Sequence, residues 1–145
     1  MTRTYDPKKV ALVVGSYTIS GYADGSFISV ERSNDMWSKS SGADGDVSRA
    51  KSNDFSGTIT ITLAQTSASN DVLSGFALID EMTNQGVKSV LCTDVGGTTV
   101  LFSAFAWVKK VPTVEFSKEV GTREWALDCS DLKMLVGSNN VQLST

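Results

Sequence analysis

Apolar and polar positions alternate in short runs over most of the chain and take up a helical period once. Val10–Val14 is β-branched and apolar, and Tyr17–Tyr22 follows Gly15 as a second extended run. Ala23-Asp24-Gly25-Ser26 is turn chemistry, because Asp and Gly tolerate the positive φ of tight hairpins, and Phe27–Arg32 returns as a strand. Gly57–Leu63 has the cleanest period of two, with Ile59, Ile61 and Leu63 on one face and Thr58, Thr60 and Thr62 on the other. Beyond Gln65–Ser69 the period lengthens. Val72, Leu73, Phe76, Ile79 and Met82 share one helical stripe, with Ser69 or Asn70 as N-cap, Asp71 at the positive end of the dipole and Gly86 closing the helix. Strands resume at Val87–Thr93 and Thr98–Lys110 around a Gly96-Gly97 turn. Val114–Phe116 reads as a continuation past Pro112. In Thr122–Ser130, Trp125, Leu127 and Cys129 alternate with Glu124, Asp128 and Ser130.

Two segments lack this order. From Ser33 to Ser56 the chain is polar, with Met36, Trp37, Val47 and Phe55 as its few large apolar residues; a loop this long inside one domain is usually functional or disordered. Residues 137–145 form a polar C-terminal arm. About seven strands and one helix predict a mainly β (α+β) fold, a sandwich or partly open barrel with the helix over an edge or end. Residues 1–145 make one domain, since 145 residues supply one core and no more. No internal repeat is present.

Composition removes several classes of function. There is no histidine, hence neither the commonest general base nor the commonest zinc ligand. Cys92 and Cys129 are too few for a thiolate cluster and sit in apolar runs, where cysteine packs as a small buried hydrophobe. The net charge is −3 and no Lys/Arg block occurs, which disfavours a protein that grips phosphates. Met1–Asp6 carries no apolar run and no stretch approaches 18 apolar residues. The expectation is therefore no export signal, no membrane partner, and a reducing compartment or exit by another route.

No catalytic constellation emerges. Asp44-Gly45-Asp46 with Asp54 lacks the regular oxygen ligands and the closing Glu of a calcium loop. G-x-S-x-G is missing, and Asp80 and Glu81 are neighbours on different helix faces, so they and Glu115 and Glu119 read as solvated charges. Gly96-Gly97 lacks the context of a phosphate loop. Trp107 and Trp125 are expected in the core; Trp37, in the polar segment, is either an interface anchor or a local loop core. The Thr58/Thr60/Thr62 ladder is either a plain solvent face or a wall facing a water-filled lumen. The expectation is a protein without catalysis, metal or cofactor.

One stretch, Gly42–Asp71, carries a family signature. Its parts are GADG-acid-V-x-R over Gly42–Arg49, SND-x-SG over Ser52–Gly57, an alternating strand, and SxSND over Ser67–Asp71 entering the helix. It resembles the tail tube proteins of contractile-tailed bacteriophages, whose architecture is related to that of the type VI secretion tube protein. The resemblance implies two packed antiparallel sheets with a flanking helix. It implies copies closing into hexameric rings that share a barrel and stack into a hollow tube for DNA ejection. It also implies partners: other copies, tail sheath, baseplate and tail terminator, with DNA passing without specific binding, in a virion tail assembled in the bacterial cytoplasm. The long loop would reach a neighbouring subunit or ring, placing the contacts on Trp37, Asp44, Asp46, Arg49 and Asp54. Two other readings remain open: a tube protein of a phage-derived bacteriocin or secretion system, and a monomeric β-sandwich binding module using Trp37 and the loop.

Overall fold

The computed structural model describes residues 4–25 and 27–138. Ten strands and one α-helix follow in the order β1 (Val10–Val14), β2 (Tyr17–Thr18), β3 (Ile28–Arg32), β4 (Trp37–Ser41), β5 (Val47–Lys51), β6 (Gly57–Ala64), α1 (Ser69–Thr83), β7 (Lys88–Asp94), β8 (Val100–Lys110), β9 (Thr122–Cys129) and β10 (Leu132–Leu135). They form two antiparallel sheets. One has the order β2-β1-β7-β8-β9-β6-β3 with β10 also on β8; the other is the β4–β5 hairpin. The mainly β reading with a flanking helix therefore holds, and the large sheet is not closed into a barrel.

β8 is the hinge of the large sheet. Its first half pairs with β7 and β10, its second half with β9, and bulges interrupt the ladders at Lys88/Val90 and at Val108/Lys110. The sheet curls about this strand until its two halves face each other. Leu12, Val14, Val90, Cys92 and Leu101 from one half then share a core with Ile59, Ile61, Leu63, Trp125, Leu127 and Cys129 from the other. Both cysteines are buried and unpaired, as small core residues. The gap between the halves is crossed by residues 19–23. Ile19 N–H bonds to the Leu12 carbonyl (2.9 Å), and Ala64 N–H to that of Gly21 (2.8 Å).

α1 closes one end of the core through Leu73, which is fully buried, and half-buried Phe76. The expected stripe does not continue: Ile79 and Met82 are 46% and 75% exposed, so the helix meets the core through its first half. The capping also differs. Ser67 Oγ, outside the helix, accepts from Ser69 N–H (3.2 Å). Asn70 turns back, its Nδ2 donating to the Ala64 and Ser67 carbonyls (3.0 Å each) while its Oδ1 accepts from Trp125 Nε1 (2.9 Å). Asn84, at φ 61°, ends the helix. Gly86 matters for space, since a Cβ there would lie 2.5 Å from the Phe76 carbonyl oxygen.

Four other expectations change. The segment 33–56 is not a loop but contains β4 and β5. The second extended run is cut to Tyr17–Thr18 plus a bridge at Tyr22, because the chain must turn from one half of the sheet to the other. Val114–Phe116 is not strand; β8 ends at Lys110, two residues before Pro112, which lacks an N–H for a ladder. Trp107 is half-buried outside the core, on the face it shares with its cross-strand partner Asp128, whereas Trp125 is 2% exposed as expected. Of the C-terminal arm, Gly137 and Ser138 bond to Thr98 and Thr99, and the rest lies outside the described residues.

Candidate assembly surface

The five candidate contact residues all belong to one structure, the arm that leaves the core between β3 and β6. β3 and β6 pair from Ile28↔Ile61 to Arg32↔Gly57, and the same two chains pair again from Trp37↔Lys51 to Ser41↔Val47. Between these ladders the second chain carries one residue more than the first, so the arm is a hairpin continued through a bulge.

The bulge is locked by short-range polar contacts. Ser33 N–H bonds to the Ser56 carbonyl (3.0 Å) and Ser52 N–H to that of Met36 (2.9 Å). Asp54 accepts from Asn34 Nδ2 (2.7 Å) and from Ser56 N–H (3.0 Å). The bonds from Ser56, more than that from Asn34, hold its carboxyl below the usual carboxylate range. The base is also fastened to the core. Arg32 lies over Phe55 (5.6 Å) and donates from Nε and Nη2 to the Leu132 carbonyl (3.2 and 2.8 Å), while Leu132 N–H bonds to the Phe55 carbonyl (2.8 Å). Gly57 is required here, since a Cβ would lie 2.5 Å from Leu132 Cδ2 and 2.6 Å from the Glu31 carbonyl oxygen.

Beyond the base the arm buries nothing: all ten residues of β4 and β5 are exposed. Its shaft is organised nonetheless. The Arg49 guanidinium stacks 3.9 Å from the Trp37 ring centroid, the diagonal contact that follows from the Trp37↔Lys51 and Lys39↔Arg49 register. The tip turns through Gly42–Asp46, with Gly42 N–H on the Asp46 carbonyl (2.7 Å) and Gly45 at φ 91°. Trp37 and Arg49 are thus brought together on the shaft, Asp44 and Asp46 lie at the tip, and Asp54 at the base. The carboxylates are spread along the arm rather than gathered around a cation.

The two halves of the large sheet show different outer faces. Across β6 and β9 the pairs are Thr58↔Asp128, Thr60↔Ala126 and Thr62↔Glu124, with Thr58 Oγ1 donating to Asp128 Oδ1 (3.1 Å). Across β1, β7 and β8 one row reads Val13, Leu91, Phe102, and the last two are 38% and 40% exposed. The alternation of Thr58–Thr62 made the first face readable from sequence. The second had a signal that went unused: the run from Val100 to Val108 is apolar at positions of both parities, as in strands covered on both sides. Among the described residues no helix is long and apolar enough to cross a membrane.

This architecture recurs in contractile injection systems. The chain is similar in fold to the tube-terminating cap of the anti-feeding prophage (TM-score 0.62, 8% identity, 93% of each chain). It is likewise similar to a chain of the extended PVC sheath–tube complex (TM-score 0.60, 14% identity, 91% of each chain) and to one of the extended PVC sheath/tube terminator (TM-score 0.58, 14% identity, 93% of this chain and 99% of that one). In sequence, it is 32% identical over 146 aligned positions to structural protein ORF10 of Pseudomonas phage KPP10, covering 95% of this chain and 84% of that one. The sequence profile of the bacteriophage PhiTE tail tube protein matches residues 10–137, and the chain belongs to that family. It is a structural protein of a phage tail, as the signature in Gly42–Asp71 implied.

Proposed function

We propose that this chain is the repeating subunit of the tail tube: copies close into rings, six to a ring, and rings stack into a hollow conduit for DNA ejection. The observation that carries this reading is the β4–β5 arm. A two-stranded ribbon with no buried residue gains little stability by itself, yet this one is pinned at its base by Arg32, Phe55 and Asp54 and stiffened by the Trp37–Arg49 stack. A rigid, exposed arm presenting an aromatic–cation pair on its shaft and carboxylates at its tip suits docking against a neighbouring copy. Trp37 and Arg49 are the anchors of that contact; Asp44 and Asp46 make its charged rim, and Asp54 sets the angle at which the arm leaves the core.

The threonine and carboxylate face of β6 and β9 suits the wall of the conduit. Hydroxyls hold water, and Glu124 and Asp128 add to a net charge of −3 per copy that repels phosphate, so DNA slides rather than sticks. The role is passive, without catalysis. Tubes of this kind would start on a baseplate, grow inside a sheath in the bacterial cytoplasm and end at a terminator.

The test replaces Ser40–Ser48 by Asn-Gly, which joins the paired Lys39 and Arg49 through a two-residue hairpin turn and removes the tip. Electron microscopy of tails complemented with this variant is expected to show no tubes, while circular dichroism of the purified variant shows an intact β fold. Tubes of normal length and yield would overturn the role of the arm.

A further inference from the structure

The β6–β9 ladder runs from Gly57↔Cys129 to Ala64↔Thr122, about 24 Å of strand. The arm leaves the core at the Gly57 end. At the other end lies the connection from β8 to β9, residues 111–121, which is neither strand nor helix and is exposed at every position except Pro112. Its apolar residues are out of place there: Val111, Val114, Phe116 and Val120 are 54%, 55%, 79% and 70% exposed. We infer that this connection is the surface on which the arm of a copy in the adjoining ring lands, with Trp37 against its apolar residues and the acidic tip beside Lys118. This rests on the tube reading and gives residues 111–121 the receiving role in it.

Stacking geometry is the first support. Rings that add one upon another in a single orientation present opposite ends to each other, so the contact is heterologous and needs two different surfaces at the two ends of one copy. The arm supplies one of them. Residues 33–41 carry its tip up to about 30 Å past the base, so in the next copy it overlaps the end where residues 111–121 lie. A contact of arm with arm would instead join two copies in opposite orientations and stop there.

The chemistry of the loop is the second. It is fastened at both ends: Lys110 still pairs with Ala126, Gly121 N–H bonds to Gln65 Oε1 (2.8 Å), and Gln65 N–H bonds to the Gly121 carbonyl (3.0 Å). Ser117 Oγ donates to the Glu119 carbonyl (3.1 Å), and Arg123 lies 5.7 Å from the Phe116 ring centroid. Val111 and Val114 also wall a cleft of about 470 Å³ against Asn70, Asp71 and Arg123, with room for an aromatic side chain. Apolar side chains held out of the core on a fastened loop are what a docking surface displays. The charges agree. Residues 42–48 of the tip hold Asp44 and Asp46 and no cation, whereas Lys109, Lys110, Lys118 and Arg123 outnumber Glu115 and Glu119 around the loop, in a chain whose net charge is −3.

The experiment uses tails assembled with the full-length chain. Val114→Ser with Phe116→Ser, Asp44→Lys with Asp46→Lys, and Lys110→Glu with Lys118→Glu are each expected to lower tube yield at least about tenfold. Thermal unfolding of the monomer stays unchanged, because all six side chains are exposed. The two charge reversals combined restore yield to within about threefold. Because Cys92 and Cys129 are buried, Asp44→Cys with Lys118→Cys gives a second readout. Tubes treated with a short bismaleimide run on denaturing gels as a ladder extending beyond the size of one ring when both new cysteines are present, and as single copies when either is alone. Normal yield from the loop substitutions, a combined reversal that does not rescue, or a ladder that is absent or stops at the size of one ring would overturn this contact while leaving the tube reading intact. Tails whose tube lacks this chain altogether would overturn the tube reading itself.

Discussion

Replacing Trp37 by Ala separates the two roles open to this side chain. Within one copy, Trp37 stacks on Arg49 at 3.9 Å and is 40% exposed on a strand that buries nothing. An exposed cation–π contact is worth about 0.5–1 kcal/mol, so the monomer's Tm should fall by no more than about 4 °C in a chain of this size. Between copies the stake is larger. A tryptophan presents on the order of 250 Å²; the exposed fraction leaves about 100 Å² for a neighbour to cover, worth ~2.5 kcal/mol at 25 cal/mol per Å². That corresponds to roughly a sixtyfold rise in the concentration needed for assembly. The assay pairs thermal unfolding of the dilute protein with sedimentation of assembled material across a concentration series. Trp37→Phe, which keeps a ring for Arg49, should fall between the two. A shift of the assembly threshold below about threefold, or a monomer destabilised as much as the polymer, would place Trp37 in a local cluster of the arm and refute the reasoning.

Two further predictions concern the core. Asn70→Ala leaves the buried Trp125 N–H and two carbonyls without their partner, at a cost of about 2–3 kcal/mol; a double-mutant cycle with Trp125→Phe in urea is expected to show coupling above about 0.5 kcal/mol. The phenol of Tyr22, whose hydroxyl has no hydrogen-bond partner among the described residues, is pushed up to about 12, chiefly by burial and secondarily by Cys92. The unfolded chain ionises this phenol near its ordinary value of about 10, so its contribution is complete below pH 10 and is lost as pH rises through 12. Denaturation midpoints across that window should fall more steeply than those of Tyr22→Phe.

How much of this was legible in the sequence follows from the range of the interactions involved. Periodicity determined the strands with one buried face: Ile59, Ile61 and Leu63 against three threonines, and Trp125, Leu127 and Cys129 against polar neighbours, because a period of two is a property of the backbone alone. It also determined that α1 exists, and the run from Gly42 to Asp71 carried the family. Trp37 was recognisable as a large aromatic out of place in a polar segment and Arg49 as part of the family signature, but their meeting depends on a register set by the bulge at Asp54.

Tertiary structure decided the rest. The arm was hidden because a hairpin exposed on every side has no apolar period to read. Asn70 reads locally as a cap, yet it spends its amide on carbonyls and an indole 55 residues away. Trp107 lies in an apolar run, but the bulge beside it and the end of β7 leave it outside the core. The open edges of β3 and β8 follow from which strands lie beside one another and how far each ladder extends, and no local pattern contains that. A sequence records what each residue prefers; which strands become neighbours, and so which edges stay unpaired, is set by segments dozens of residues apart competing for the same partners.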